Sequence, residues 1–216
     1  MILHTAPQGS PEWQQARAGC ITGSMFVTAR QRLKSGPSKG DYTDKAKDYA
    51  FRLAVERISG QPLDEGFETW AMKRGHELEP AARAEHEVAI GVLVQPVGFV
   101  TTDDGKFGAS ADGFIGTDGG AEYKCLVSPE RLRSVILSGD LSEFTDQMQG
   151  GMWITGRKWW DFGLYCPALA PIGRQFTHYR MMRDDNYIDA LELDLIAFER
   201  LVSENEAALR NFKEAA

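Results

Sequence analysis

The stretch that decides the fold runs from Ser110 to Lys124 and reads SADGFIGTDGGAEYK. A glycine-rich turn at residues 116–120 separates two segments with the composition of short strands, which predicts a β-hairpin. We expect its first strand to cover residues 107–115 and its second to cover residues 121–127. The hairpin would place side chains from either side of the turn next to each other.

Acidic side chains and one lysine mark both halves of this hairpin. Because side chains alternate along a strand, Glu122 and Lys124 share a face from which Tyr123 points away. If Asp112 crosses onto that face, two carboxylates and one ammonium group converge. Oxygen ligands suit a hard cation such as Mg²⁺, which keeps several waters and commonly takes one or two carboxylates. The pattern predicts a metal site for cutting phosphodiester bonds, although an acid-x-lysine triplet alone is also typical of a solvated surface hairpin.

Three further blocks accompany the hairpin, namely WQQARAGCITGS at residues 13–24, GHELE at 75–79 and QMQGGMW at 147–153. In this order the four blocks resemble the lambda-exonuclease and YqaJ-like viral recombinase branch of the PD-(D/E)xK nucleases. Ala111 stands where the family pattern has proline, and since that residue is not a ligand, the departure concerns only local strand geometry. The resemblance extends over nearly the whole chain. It implies a restriction-endonuclease-like α/β fold with a small central mixed β-sheet flanked by helices.

The resemblance also implies a set of metal ligands. They are the carboxylates of Asp112 and Glu122 and the backbone carbonyl of Tyr123, with Glu79 completing or supporting the shell. The expected cofactor is Mg²⁺, with Mn²⁺ as a substitute. Lys124 has an unperturbed pKa of about 10.4, and neighbouring carboxylates favour its charged form. We therefore expect Lys124 to assist electrostatically rather than as a base.

Gln147 and Gln149 lie two positions apart and so diverge on a helix, which means that at most one of them points at the site. The family pattern assigns Gln147 to positioning water or phosphate. A solvated helix face is the alternative for both. Met72 matches an apolar residue that separates the DNA strands in the family, and core packing is its alternative.

Arg17, Thr22 and Ser24 match the residues that bind the terminal 5′-phosphate in the resembled exonucleases. A guanidinium fork and two hydroxyls are good phosphate partners. Two helix caps and a surface arginine would explain the same residues.

The function that the resemblance implies is a Mg²⁺-dependent 5′-to-3′ exonuclease. Such an enzyme degrades the 5′-phosphorylated strand of linear double-stranded DNA and leaves a 3′ single strand for phage-type recombination. A ring-shaped homotrimer and a single-strand annealing protein are the implied partners. Two other functions remain open. A structure- or sequence-specific endonuclease would carry the same hairpin, and a noncatalytic DNA-binding module could retain the fold, although intact Asp112, Glu122 and Lys124 weigh against the latter.

Length and composition predict a single domain over residues 1–216. Within it we expect a helical part at 10–60 that binds the DNA end, a core at 68–183 and a terminal helix at 185–213. The three cysteines show neither zinc spacing nor a disulfide framework, which predicts a cytoplasmic protein. No segment approaches the ~18 apolar residues of a spanning helix, so we expect no membrane contact.

Charge is unevenly distributed along the chain, whose net charge is −7. Residues 17–52 carry eight basic and three acidic side chains, whereas the chain from Asp184 onward carries nine acidic and three basic ones. A basic surface facing DNA and an acidic outer surface would explain this pattern. Ordinary solvated helix faces are the alternative, and composition alone favours that alternative.

Periodicity and breakers predict the remaining elements. We expect helices at 10–19, from 22 onward, at 44–59, at 68–90 with Pro80 as a kink or first turn, at 129–137 and at 142–154. Strands are expected at 92–101, 158–166 and 175–183. An apolar stripe along the last helix should pack against the protein's own sheet, or else form a coiled coil between subunits.

Overall fold

The computed structural model describes residues 1–63 and 69–212 of the chain. Seven α-helices lie in this part: α1 (Pro11–Arg17), α2 (Phe26–Ala29), α3 (Asp44–Ser59), α4 (Trp70–Ile90), α5 (Pro129–Ser138), α6 (Thr145–Thr155) and α7 (Asp185–Arg210). Eight strands accompany them: β1 (Ile2–His4), β2 (Ile21–Thr22), β3 (Phe99–Thr101), β4 (Phe107–Ser110), β5 (Gly113–Ile115), β6 (Gly119–Lys124), β7 (Trp159–Tyr165) and β8 (Phe176–Met182). Short 3₁₀ helices cover Gly23–Met25, Ser142–Phe144 and Pro167–Ile172.

The strands form two four-stranded mixed sheets, and each sheet belongs to one compact unit of the chain. Among the described residues, the first unit comprises 1–63, 98–110 and 184–212, and the second comprises 69–97 and 111–183. The predicted α/β class with small mixed sheets flanked by helices is confirmed, with two such sheets where one was expected. The expected single domain over residues 1–216 stays a prediction. Residue 68, where the core was expected to begin, and residue 213 of the terminal helix lie outside the described residues.

The second unit is built on the sheet β5-β6-β7-β8. Strands β5 and β6 form the predicted hairpin, in which Gly113 pairs with Ala121, and the turn uses Gly116 at a φ of +54°. Strands β6 and β7 run parallel, and helices α5 and α6 form the crossover that a parallel pair needs. Strand β8 pairs antiparallel with β7. The strands expected at 158–166 and 175–183 are confirmed as β7 and β8.

The first strand of the hairpin is shorter than predicted. The expected single strand over residues 107–115 is wrong, because the chain bends at Asp112 and separates β4 from β5. Strand β4 pairs with β2 and β3 in the first unit, whereas β5 pairs with β6 in the second. The strand expected at 92–101 is also shorter, since only Phe99–Thr101 is extended within a sheet; Gln95 contributes an isolated bridge to Phe114.

Several helix boundaries follow from capping chemistry. Ser10 caps α1 by accepting from the amide of Trp13, and Thr43 caps α3 by accepting from that of Ala46. Helix α3 has the predicted bounds of 44–59, and Gly60 follows it in the left-handed conformation. Ile58, in the last turn of α3, is 42% exposed.

Helix α4 is continuous through Pro80, so the alternative that Pro80 lies in a first turn is wrong. Thr69 caps this helix by accepting from the amide of Met72. The helix expected from residue 22 is a 3₁₀ turn followed by the four-residue α2.

The apolar stripe of α7 packs mainly against helix α3 rather than against a sheet. Phe198 of α7 stacks on Tyr49 of α3 with 5.5 Å between the ring centroids. The buried members of the stripe are Ile188, Leu191, Leu195, Phe198 and Val202. Phe212, beyond the end of the helix, is 75% exposed. No helix in residues 1–63 and 69–212 is long and apolar enough to cross a membrane.

Candidate active site

Asp112 lies at the bend between β4 and β5, and two hydrogen bonds tie it to β6. Its backbone amide donates to the carbonyl of Ala121 at 3.1 Å, and its Oδ2 accepts from the amide of Tyr123 at 2.6 Å. The bend thus turns the carboxylate toward the strand that carries Glu122 and Lys124. Asp112 reaches the expected neighbourhood because the chain leaves strand geometry at this residue, and not because it is part of a regular hairpin.

Glu122 and Lys124 lie on the same face of β6, as the alternation of side chains predicts. Lys124 Nζ is 2.6 Å from Glu122 Oε1. Gln147 of α6 donates its Nε2 proton to the same oxygen at 2.7 Å, whereas Gln149 donates to the carbonyl of Met182. Of the two glutamines, only Gln147 therefore points at this cluster.

Glu79 is connected to the cluster through Arg83, one turn further along α4. The Nη2 atom of Arg83 lies 2.6 Å from Glu79 Oε1 and 3.3 Å from the carbonyl oxygen of Asp112. Burial and the Glu122 carboxylate raise the pKa of Glu79, while the Arg83 guanidinium acts in the opposite direction. Sequence reasoning missed Arg83, although its position four residues after Glu79 is the spacing of a helical ion pair.

The electrostatics of the cluster are those of crowded carboxylates. Burial, together with Glu122 and Glu79, raises the pKa of Asp112 well above its ordinary value. Burial lowers the pKa of the Lys124 ammonium, but Glu122 and Asp112 outweigh it, so that the net shift is upward. Lys124 is therefore held as a positive charge among acids.

The donor chemistry of this cluster fits Mg²⁺. Asp112, which is half-buried, and Glu122, which is buried, both supply carboxylate oxygens. The two carboxylates repel each other, and a cation between them would relieve that repulsion. Within residues 1–63 and 69–212, no three His, Cys, Asp or Glu side chains form a ready-made metal cage. A bound ion would accordingly take its remaining ligands from backbone and water, as Mg²⁺ commonly does.

The expected phosphate-binding residues lie in the first unit, along strand β4. Arg17 Nη1 donates to Ser110 Oγ at 3.0 Å, and Thr22 pairs with Gly108 across the parallel β2–β4 contact. Ser110 and Gly108 are two positions apart, so both face the same side of β4. The structure thus brings Arg17 and Thr22 to one strand. Thr22 makes no side-chain cap, which makes the helix-cap alternative wrong for it.

Ser24 is exposed within the Gly23–Met25 turn, and the Arg17 guanidinium stacks over the Trp13 ring at 4.0 Å. Such stacking fixes the orientation of the guanidinium plane and leaves the N–H groups at its edge able to donate. Arg17 is therefore not an ordinary mobile surface arginine.

A family model of the YqaJ-like viral recombinase domain matches residues 12–158. The chain belongs to this family. The matched range contains every candidate site residue, from Arg17 to Gln147. Among curated proteins, none matches the chain.

Solved structures are similar to this YqaJ-like domain along most of its length. The alkaline exonuclease LHK-Exo from Laribacter hongkongensis is 32% identical, with 93% of this chain and 97% of that chain covered and a TM-score of 0.78. The same exonuclease in complex with dAMP gives a TM-score of 0.80 at the same identity and coverage. A phage-related exonuclease from Haemophilus somnus 129PT is 18% identical, with 88% and 96% covered and a TM-score of 0.67, and shares the fold.

A buried polar group supports β6 of the YqaJ-like domain from its other face. The Tyr123 hydroxyl and His86 Nδ1 are 3.0 Å apart, and His86 Nε2 lies 3.3 Å from Asp161 Oδ2. Arg180 binds both oxygens of Asp161, at 2.8 and 2.9 Å. His86 and Asp161 are fully buried. No sequence pattern indicates this pair, because residues so far apart in sequence carry no shared signal.

The remaining expectations concern Met72 and the distribution of charge. Met72 is 52% exposed in the first turn of α4, so core packing is wrong as its explanation. Arg30 of the basic segment binds Asp194 of the acidic terminal helix at 2.9 Å. At this position the two segments neutralise each other, which weighs against two surfaces of opposite charge.

Proposed function

We propose that this YqaJ-like domain is a Mg²⁺-dependent 5′-to-3′ exonuclease that degrades the 5′-phosphorylated strand of linear duplex DNA and leaves a 3′ single strand. The observation that carries the proposal is the clustering of Asp112, Glu122 and Lys124 at the edge of one hairpin, with Gln147 bonded to the same carboxylate. The alkaline exonuclease that is 32% identical supports a nuclease rather than a binding module. Nothing in the cluster favours an endonuclease over this proposal.

Asp112, Glu122 and the carbonyl of Tyr123 would hold the metal, with Glu79 supporting the shell and Mn²⁺ able to replace Mg²⁺. The chemistry that Mg²⁺ would supply there is charge neutralisation at the scissile phosphate and activation of water. The chain's own contribution is to fix these ligands. The amide of Tyr123 orients Asp112, and Lys124 and Gln147 both hold Glu122 Oε1.

Lys124 would stabilise the negative charge that develops on the phosphate, because its ammonium remains protonated beside two carboxylates. The Gln147 amide would position the attacking water or a phosphate oxygen while it holds Glu122. Asp112 and Lys124 are only half-buried, so a DNA backbone can approach the cluster from solvent.

Arg17, Thr22 and Ser24 would bind the terminal 5′-phosphate. The support for this role is the stacked Arg17 guanidinium and its bond to Ser110, two residues before Asp112 in the chain. Met72, exposed in the first turn of α4, would separate the strands. A homotrimeric ring in the cytoplasm, acting with a single-strand annealing protein, completes the proposal, since encirclement of duplex DNA would maintain contact despite a net charge of −7.

The decisive experiment compares three substrates of the same sequence: linear duplex with 5′-phosphate ends, linear duplex with 5′-hydroxyl ends, and covalently closed circles. We expect rapid digestion of the first, slower digestion of the second and none of the third, with release of nucleotides from the 5′ end. Asp112→Ala protein serves as the control for contaminating nucleases. Cutting of circles at the rate of linear DNA would contradict the proposal and favour an endonuclease. Molar mass in solution tests the trimer separately.

A further inference from the structure

A cavity on the second unit is not used by any step above. It has a volume of about 450 Å³, within the ~300–1,000 Å³ range of ligand pockets, and it opens to solvent. Five residues of α4 and one residue after β7 line it: Trp70, Lys73, Arg74, Glu77, Leu78 and Pro167. The five helical residues are spaced by three and four positions, so they form one face of α4.

Trp70 is the unusual member of this wall. Its side chain is 69% exposed, although an indole is among the most apolar side chains and is seldom left in water without a partner. An exposed indole beside a cavity is a flat surface on which a planar ring can stack. Burial of such a ring would remove apolar area of both partners from water.

The charges along the cavity are ordered. Lys73 and Arg74 lie in the first turn and a half of α4, near the positive end of the helix dipole, whereas Glu77 lies one turn further on. The end of the cavity at Lys73 and Arg74 therefore attracts an anion, and the end at Glu77 repels it. A ligand with an anionic group next to a planar ring that carries hydrogen-bond donors matches this order, since Glu77 can accept from an exocyclic amine.

One contact ties the cavity to the active strand. Arg74 Nη1 donates to the carbonyl of Cys125 at 3.1 Å, and Cys125 directly follows Lys124 of β6. The wall of the cavity is thus anchored at the end of the strand that carries the catalytic cluster. We therefore expect a nucleotide next to the cluster to be able to reach this wall.

We infer that the cavity binds an unstacked nucleotide of single-stranded DNA, with its base on Trp70 and its phosphate on Lys73 and Arg74. Single-stranded rather than duplex DNA is required because a base inside a duplex has no free face for the indole. The choice of DNA as the ligand rests on the proposed function. The existence of the cavity, its cations and its exposed indole does not depend on the proposed function.

The test measures binding of a fluorescently labelled single-stranded oligodeoxycytidylate by anisotropy, with chelator present and in the Asp112→Ala protein, so that no turnover occurs. Trp70→Ala should weaken binding about tenfold, as expected for loss of one base–aromatic contact. Trp70→Phe should restore most of it, and Lys73→Ala should weaken binding and reduce its salt dependence. Val88→Ala is the matched control, since Val88 is an 84% exposed apolar residue on the same helix.

Wild-type affinity in the Trp70→Ala protein would overturn the inference. Competition by free dCMP at the concentration at which the oligonucleotide competes would also overturn it, because the occupant would then be a mononucleotide and not a strand. The outcomes separate this inference from the proposed function. Trp70-dependent binding without nuclease activity on any linear DNA would remove only the proposed function, and full exonuclease activity with Trp70-independent binding would remove only the cavity's role.

Discussion

The carboxylate of Asp112 accepts a hydrogen bond from the backbone amide of Tyr123, with 2.6 Å between Oδ2 and N. The two residues are eleven positions apart and lie on either side of the glycine turn. Tyr123 stands between Glu122 and Lys124, so this bond holds the Asp112 carboxylate beside the strand that carries both. The opposite side of the same residue is held through its hydroxyl by His86. Tyr123 thereby links the face of β6 that carries Glu122 and Lys124 to the buried His86 behind it.

Replacement of Asp112 by asparagine tests the role of the negative charge, because it removes the charge and keeps the shape of the side chain. The variant keeps an oxygen that can accept from the Tyr123 amide, but it removes one of the crowded negative charges. We expect nuclease activity to fall by more than about 100-fold, since loss of even an outer partner of a metal ligand typically costs about 10- to 100-fold. In the absence of metal, the melting temperature near neutral pH should rise, because the Asp112 carboxylate is destabilised by burial and by Glu122.

Mg²⁺ should reverse this order of stability. Wild-type protein gains about 2.7 kcal/mol at a metal concentration 100 times the Kd, and the Asp112→Asn protein should gain much less. Melting curves with and without Mg²⁺ provide the measurement. An equal metal-induced shift in both proteins would show that Asp112 is not a ligand.

The charge of Lys124 is the second property to test. Lys124→Gln should lower kcat by about 10²- to 10³-fold if the ammonium stabilises charge that develops during the reaction. Lys124→Arg should retain part of the activity because it keeps the positive charge. Lys158→Gln is the control: Lys158 is 69% exposed and pairs with Asp118, away from the cluster. Single-turnover rates are the measurement, and a Lys124→Gln protein as fast as the control would contradict electrostatic assistance.

The sequence predicted the parts of this site that depend on local geometry. Alternation along β6 separates Glu122 and Lys124 from Tyr123, and helical spacing separates Gln147 from Gln149; both expectations are confirmed by hydrogen bonds in the structure. These relationships follow from the periods of strand and helix and need no knowledge of tertiary contacts.

What could not be predicted depends on contacts between distant segments. The continuous apolar pattern of residues 107–115 concealed the bend at Asp112, because both halves are strands that join different sheets. The apolar stripe of α7 correctly indicated a buried face. The same periodicity is found in helices that pack on a helix and in helices that pack on a sheet, so it does not identify the partner. His86 and Asp161, which support β6 from its buried face, are 75 residues apart in the sequence and belong to no recognisable motif.

Discrimination of the DNA end should depend on Arg17. Arg17→Ala removes a charge-assisted donor, and we expect the preference for 5′-phosphate over 5′-hydroxyl ends to fall by about tenfold or more. The rate on 5′-hydroxyl ends should change little, which distinguishes this effect from general damage. Arg32→Ala is the control, since Arg32 is an exposed arginine of the same basic segment that stacks on Tyr42. A preference that survives Arg17→Ala would place recognition of the end elsewhere.

Stability of the first unit should depend on the ion pair between α3 and α7. Arg57 donates to both oxygens of Glu199, at 2.9 and 2.7 Å, and Lys106 Nζ lies 3.1 Å from Oε1. The side chains of Arg57 and Glu199 are only 17% and 8% exposed. Glu199→Gln leaves Arg57 buried without its counter-charge, and we expect the free energy of unfolding at pH 7 to fall by about 3 kcal/mol.

The pH dependence of this loss follows from the pKa of Glu199. Burial acts to raise that pKa, but the bonds from Arg57 and the charge of Lys106 outweigh it and hold it below the ordinary value of 4.5. A lowered pKa in the folded state means that the pair stabilises the protein at pH values above 4.5, and that this stabilisation disappears as the pH falls through the folded-state pKa. The difference between wild-type and Glu199→Gln proteins should therefore shrink in acid.

Urea unfolding at a series of pH values measures this difference. Glu206→Gln is the matched control on the same helix, because Glu206 pairs with Arg210 at the surface, where the Arg210 side chain is 56% exposed. Such an exposed pair contributes about 0.3–0.5 kcal/mol. Equal losses from the two substitutions, or a Glu199→Gln loss that persists unchanged in acid, would mean that packing of α7 on α3 and not the buried ion pair sets the stability of this unit.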